Sequence, residues 1–310
     1  MQKHTRAFVI LIVLLLLALI ASMAVGSVSI PFDALFRLLF AGSSTPAGDL
    51  QTFATILFKL RIPHAVLMLL VGASLGGSGA AYQGLFRNPL ADPYLIGVAS
   101  GAGLGAIAAM AVKRPYSPLG LFAVPLAAFA GAILAVLIVY QLGHVGKTVP
   151  TTTLLLAGVA VSSFATALTS YLLINSTGEL RRALVWLLGG STMTGWEPVI
   201  GVLPYVLIGL AVILVNGYPL NVLQFGDEQA KQLGVNVERV RRWTVFAASM
   251  ATAAAVAFAG VIGFVGLIVP HLVRLIWGAD YRRLLPLSML GGAILLLLTD
   301  LAARTLMAPQ

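Results

Sequence analysis

The chain has 310 residues, of which 9% are charged and 59% hydrophobic, and its mean hydropathy is +0.99. A soluble domain needs about 25% charged residues to wet its surface, so this composition excludes a water-soluble globule and requires a lipid-facing exterior. The net charge of +9 comes from 19 Lys and Arg against 10 Asp and Glu; these cations fall between apolar runs, where they anchor loops and meet anionic headgroups rather than nucleic acid.

There is no cysteine, which removes disulfides and thiolate metal sites. The four histidines (His4, His64, His144 and His271) are far apart, and none has the i, i+4 partner of a helical zinc site. Each is expected at an interface or in a loop.

Along the chain, Lys3 and Arg6 precede an apolar run over 7–25. That run exceeds the roughly 7–15 residues of a signal-peptide core and approaches the roughly 20 needed to span, so it reads as a retained first helix. Hydropathy places helices near 7–30, 63–84, 94–112, 119–142, 151–174, 198–217, 243–263, 268–277 and 284–304. The fold class is therefore an all-α polytopic membrane protein with about nine transmembrane helices. The eighth contains Pro270 and is too short for a hydrocarbon layer of about 30 Å, so a half-helix buried against its neighbours is expected. No long linker interrupts the pattern, which implies a single transmembrane domain over 1–310.

Glycines at four-residue spacing (Gly72 and Gly76; Gly97, Gly101 and Gly105) predict close helix packing, as does the tract Gly260, Gly263 and Gly266. Segments 31–40 and 179–188 alternate apolar with charged residues and predict interfacial helices. The second carries Glu179, Arg181 and Arg182. With the N-terminus cytoplasmic, both segments lie on the outer face, and ten Lys/Arg fall inside against nine elsewhere, a split that leaves orientation open.

The run Gly143-His-Val-Gly-Lys-Thr148 resembles part of a phosphate-binding loop, but Gln141 stands where such a loop needs glycine and no strand precedes it. ATP chemistry then has to come from another chain. The long polar stretch 224–242 reads as a short helix from Asp227 to Leu233, stopped by Gly234, with a second starting over 237–242. A solvated loop and a rigid knob for a cytoplasmic partner fit that pattern equally.

Several tracts together decide the class. Gln83-Gly-Leu-Phe-Arg-Asn-Pro-Leu-Ala-Asp-Pro-Tyr-Leu-Ile-Gly97 resembles the signature of the FecCD family of ABC permeases, which import iron–siderophores, haem and cobalamin. Leu60-Arg-Ile-Pro63, Trp186-Leu-Leu-Gly-Gly190, Ala230-Lys-Gln-Leu-Gly234, the run from Gly260 to Arg274, and Thr299-Asp-Leu-Ala-Ala-Arg304 are similar to further family segments, in the family's order.

The resemblance implies a type II ABC importer permease fold in the bacterial inner membrane, with a cytoplasmic N-terminus. It implies a homodimer, two cytoplasmic ATPase subunits that carry MgATP, and a periplasmic binding protein, with no cofactor, metal or catalytic residue in this chain. Residues 224–242 would be the coupling loop, with Asp227, Glu228, Ala230, Lys231, Leu233, Gly234 and Arg239 meeting the ATPase. Glu179, Arg181 and Arg182 would receive the binding protein. Arg87, Asn88, Pro89, Asp92, Pro93, Gly97, Pro270, Asp300 and Arg304 would be structural signature positions.

The sequence departs from the family at His64, where Arg is usual, and at Ala308-Pro309-Gln310, where a tenth helix is expected to follow. A secondary transporter driven by an ion gradient is the competing class; it calls for ionisable residues near the midplane. Here Asp300 and Arg304, at i, i+4, are expected to neutralise each other near the outer end.

Overall fold

The computed structural model describes residues 2–26, 28–40, 48–112, 118–146, 148–175, 180–190 and 193–306. Its regular elements among the described residues are all helices. In chain order the helices are α1 (Gln2–Ala24), α2 (Phe32–Phe40), α3 (Asp49–Thr55), α4 (Ile62–Leu85), α5 (Val98–Ala111), α6 (Pro118–Leu142), α7 (Thr151–Asn175) and α8 (Leu180–Leu187). They continue as α9 (Glu197–Val215), α10 (Gly217–Leu223), α11 (Asp227–Gln232), α12 (Val237–Ala259), α13 (Val265–Trp277) and α14 (Tyr281–Leu306). Among the described residues, seven helices are long and apolar enough to cross a membrane, and α5 and α13 are shorter apolar helices.

The second span is longer than sequence alone predicts. A π-helical turn, Ile56–Arg61, joins α3 to α4 without a break, giving one apolar rod of 36 residues over Leu50–Leu85. Hydropathy starts this helix only near 63, because Lys59 and Arg61 interrupt the apolar run before Pro63. Pro63 has no N–H to donate, and the wider turn absorbs it: the Ile62 N–H reaches back five residues to the Leu57 carbonyl.

Small residues set the core. α4 and α14 cross where Gly72 and Gly76 meet Gly292 and Ser288; a Cβ on Gly72 would stand 2.7 Å from the Gly292 carbonyl carbon. In lipid no hydrophobic force draws helices together, so such close backbone approach is what packing has to offer. α4 and α12 are further pinned by hydrogen bonds, Ser78 Oγ to the Ala248 carbonyl and Tyr82 to Ser249 and the Val245 carbonyl.

The bundle has two distinguishable ends. The C-terminus of α1, the start of α4 and the C-terminus of α14 share one, because Arg61 donates to the Met23 and Ala24 carbonyls and Arg304 to Ser22 Oγ. The C-terminus of α4 and the start of α14 reach the opposite end, beside α10 and α11. We call these the Arg61 end and the Asp227 end. α1 therefore begins at the Asp227 end, the same end as residues 224–242. Arg274, one of the nine cations counted elsewhere than inside, closes α13 at the Asp227 end, where it donates to Gln83 and Tyr281.

Two short helices start inside the bundle. α5 follows a 3₁₀ turn, Pro93–Ile96, and a break at Gly97, whose φ of 86° favours glycine. α13 follows an irregular segment over 260–264 that ends on Phe264 at φ 68°. The two segments meet where the Tyr94 hydroxyl donates to the Ile262 carbonyl at 2.8 Å. The half-helix expected around Pro270 is thus present as α13, whose 13 residues extend about 20 Å.

Candidate functional site

At the Asp227 end, α11 and the turn after it form a compact knob. The Gly234 N–H bonds the Lys231 carbonyl and the Val235 N–H bonds the Ala230 carbonyl, a Schellman-type stop that requires the left-handed φ of 81° found at Gly234. Asn236 then caps α12 by accepting from the Arg239 N–H at 3.0 Å. The second short helix expected over 237–242 is not separate. It is the first turn and a half of the spanning helix α12, because its apolar positions Val237 and Val240 continue directly into the buried stripe of that span.

One carboxylate anchors the knob. Asp227 accepts from Arg241 at 2.8 Å and lies 3.4 Å from Arg87. Arg241 is almost wholly buried and also donates to Glu238 at 2.9 Å. Arg87 sits at φ 50°, a conformation that a non-glycine residue adopts at a cost. Asp227 thus ties α11 both to the root of α12 and to the segment that leads into the 3₁₀ turn.

The seven residues singled out for coupling divide in space. Glu228, Lys231, Leu233, Gly234 and Arg239 are exposed. Ala230 is fully buried, packing the knob down, and Asp227 is committed to its two arginines. The exposed Leu233 and Phe225 give the knob apolar points among its charges.

The signature positions each hold local structure. Asn88 Oδ1 accepts from the Leu90 N–H, and Asp92 Oδ1 caps the 3₁₀ turn through the Tyr94 N–H at 2.8 Å. Pro89 occupies the turn between them, Pro93 is buried against Gly266, and Gly97 supplies the left-handed break. Pro270 is buried within α13. At the same end, Asn221 on α10 donates to Asp280 at 2.6 Å and accepts from the Tyr281 N–H. This ties the segment before the knob to the α13–α14 turn.

At the Arg61 end the expected Asp300–Arg304 pair is formed, at 2.8 Å. It belongs to a larger cluster: His64 Nε2 lies 2.9 Å from Asp300 Oδ1, and Arg304 also reaches Ser22. Of the interface-or-loop expectation for His64 the loop is excluded, since it sits in the long second span with a carboxylate partner. Arg61 is buried and donates to three carbonyls, those of Met23, Ala24 and Val28. A cavity of about 450 Å³ opens here, lined by Arg61, His64, Arg304 and Thr194 among others. Sequence reading missed this grouping because its members come from residues far apart in the chain.

The amphipathic segments both lie toward this end. α2 packs through Ala34 and Leu35 against Ala24, Ile30 and Leu57. α8 is held by Trp186, fully buried, whose carbonyl accepts from the Val261 N–H. Arg181 and Arg182 are exposed on α8, while Glu179 lies outside the described residues. The Gly143–Thr148 motif forms a tight turn closed by the Val145–Thr148 bridge, with Lys147 outside the described residues.

α7 is the least covered long helix. Its exposed positions Thr152, Leu156, Val159, Ser163, Thr166 and Ser170 follow helical spacing on one face. Four of these six carry hydroxyls, two are aliphatic and none is charged. Hydropathy alone could not separate this face from a lipid-facing one.

Spans interrupted inside the bundle, with a structured polar knob at one end and amphipathic helices at the other, define a membrane transport protein. The FecCD transport family model matches residues 14–310, and the chain belongs to that family. The chain is 41% identical to an uncharacterized ABC transporter permease of Bacillus subtilis (strain 168), YvrB, over 99% of this chain and 88% of that one. It is 48% identical to the cobalamin import system permease BtuC of Halobacterium salinarum (strain ATCC 700922 / JCM 11081 / NRC-1), over 83% of this chain and 69% of that one. Among solved structures, an inward-facing metal-chelate type ABC transporter matches with a TM-score of 0.83 and 29% identity, covering 98% of this chain and 91% of that chain.

Proposed function

We propose that this chain is the membrane-spanning permease subunit of a binding-protein-dependent ABC importer for an iron chelate, haem or cobalamin. ATP is bound and hydrolysed on a separate subunit, and the whole chain serves as one permease domain. The family match and the relatives support this reading over a transporter driven by an ion gradient. The observation that carries it is the knob: a short helix with a glycine stop, fixed by Asp227 to Arg87 and Arg241, with Glu228, Lys231 and Leu233 turned outward. A rigid projection transmits a push from a partner, whereas a solvated loop dissipates it.

In this reading the Asp227 end faces the cytoplasm, and with it the start of α1. Two copies face each other across α7, whose hydroxyl-bearing face lines the path; an uncharged wall suits a bulky chelate that has to leave again. Arg181 and Arg182 on α8 receive the binding protein through an acidic surface. The cavity at the same end supports this, since two arginines line it: Arg304, paired with Asp300, and Arg61, whose guanidinium is held by backbone carbonyls rather than by a carboxylate.

Proteoliposomes holding this chain, its ATPase and its binding protein test the proposal. Uptake of a metal chelate or corrinoid is expected only when both partners and ATP are present. Uptake by the chain alone, driven by a proton or sodium gradient, would contradict it.

A further inference from the structure

At the Asp227 end a second groove lies between the C-terminus of α9 and the start of α12. It measures about 460 Å³, and Val212, Val215, Pro219, Val240 and Trp243 form its apolar walls, with Arg239 at its rim. Arg242, one turn from Arg239 and next to Trp243, is also exposed. Neither guanidinium makes an ion pair or side-chain hydrogen bond among the described residues. The nearby carboxylates are spoken for: Glu238 and Asp227 both bond Arg241, and Asp227 also faces Arg87.

We propose that this groove binds an anionic phospholipid of the leaflet at the Asp227 end, with its phosphate on Arg239 and Arg242 and an acyl chain along the apolar walls. Three observations select that occupant. Apart from Asn216 and Pro219, the lining comes from α9 and α12, both long and apolar enough to span, so the groove lies between two lipid-facing helices. Trp243 is six residues into α12, about 9 Å along its axis, and is 52% exposed. An exposed indole near the end of a span is the kind of amphipathic ring that favours the headgroup level. Finally, the Arg239 guanidinium lies at the rim with Arg242 one turn further on, and the remaining lining is apolar apart from Asn216, whose amide donates to the Val212 carbonyl.

A soluble anion would satisfy the arginines but not the walls. An acyl chain alone would satisfy the walls but not the arginines. An amphiphile with net negative charge matches both, because guanidinium pairs with phosphate through charge-assisted bonds. A zwitterionic lipid offers the same phosphate, but its own cation offsets the field that attracts it.

The test uses the purified full chain in micelles containing equal phosphatidylglycerol and phosphatidylcholine, with native mass spectrometry counting the lipids retained. Phosphatidylglycerol should be retained over phosphatidylcholine by tenfold or more, roughly what two arginines near an anionic surface supply. That preference should vanish in Arg239→Gln/Arg242→Gln. Val212→Trp, which fills the groove and leaves both arginines, should also lower retention. Equal retention of the two lipids would overturn the proposal, as would unchanged retention in the arginine variant. Loss in the arginine variant with none in Val212→Trp would mean surface adsorption, and the groove assignment would fall. If the arginine variant keeps its lipid and instead weakens association with the ATPase, these side chains belong to the protein partner and the lipid site does not exist.

Discussion

Gly234 and Asp227 make separable predictions, because one acts through backbone conformation and the other through charge. At Gly234 a Cβ would meet nothing within 4 Å, yet φ is 81°. Any cost of substitution there is conformational rather than steric. Gly234→Val should therefore abolish transport by the assembled complex, since a β-branched residue in this region is strained by about 1–3 kcal/mol. Gly234→Asn should retain most of it, because asparagine tolerates the left-handed region. Equal loss in both variants would show that something other than φ is at stake.

Asp227→Asn should loosen the knob without unfolding the bundle. Hydrogen exchange should rise over 227–236 and stay unchanged in α4 and α14, whereas Glu228→Gln, on the exposed side, should leave exchange as it was. Asp280 adds a pH dependence. Burial works to raise its pKa, but Asn221, the Arg282 N–H and the Arg283 and Arg282 guanidiniums outweigh that and hold it below the ordinary carboxylate value. A depressed folded pKa means the contribution is present above the unfolded value of about 3.9 and is lost as pH falls through the lower folded value. The stability difference between the native chain and Asp280→Asn should accordingly shrink on acidification below about pH 4.

At the scale of elements, the α4–α14 crossing is the tightest test of packing. Gly72→Leu has to force the two backbones apart and should lower the melting temperature in detergent sharply, by about 3 kcal/mol or more in stability. Gly263→Ala, where a Cβ would meet nothing and φ is not positive, should be close to neutral. Comparable losses in both would argue against backbone contact as the source of stability.

The elements also show where sequence reading succeeds and where it stops. The α13 half-helix was legible because its length and Pro270 speak for themselves. The start of the second span was not, since Lys59 and Arg61 interrupt the apolar run before Pro63. Arg61 is tolerated in the span only because three carbonyls near the end of α1 receive it, and no local pattern announces a partner 33 or more residues away. The knob residues were legible as a group, but the division between Glu228 facing out and Ala230 facing in depends on how α11 settles against α10 and α12. The pairing of His64 was hidden for the same reason as that of Arg61: its partner Asp300 is 236 residues distant.

For the whole molecule, sidedness is the organising claim. From sequence the cations split almost evenly and fixed no orientation. The fold places Arg274 at the Asp227 end and takes Arg61 into a buried set of backbone bonds, so the balance of cations shifts toward the Asp227 end, where Lys231, Arg239 and Arg242 are exposed. That accords with a cytoplasmic Asp227 end under the positive-inside rule. It also puts the knob and the amphipathic helices α2 and α8 at opposite ends, so one set of partners cannot reach both.

The most direct measurement is cysteine cross-linking in the assembled transporter, for which the chain supplies a clean background with no native cysteine. Single cysteines at the exposed positions 228, 231 and 233 should link to the ATPase. A cysteine at the buried position 230 should not, and neither should cysteines on the exposed faces of α2 or α8. Linking from α2 or α8 to the ATPase, with none from 228, 231 or 233, would contradict both the coupling role of the knob and the orientation of the chain in the membrane.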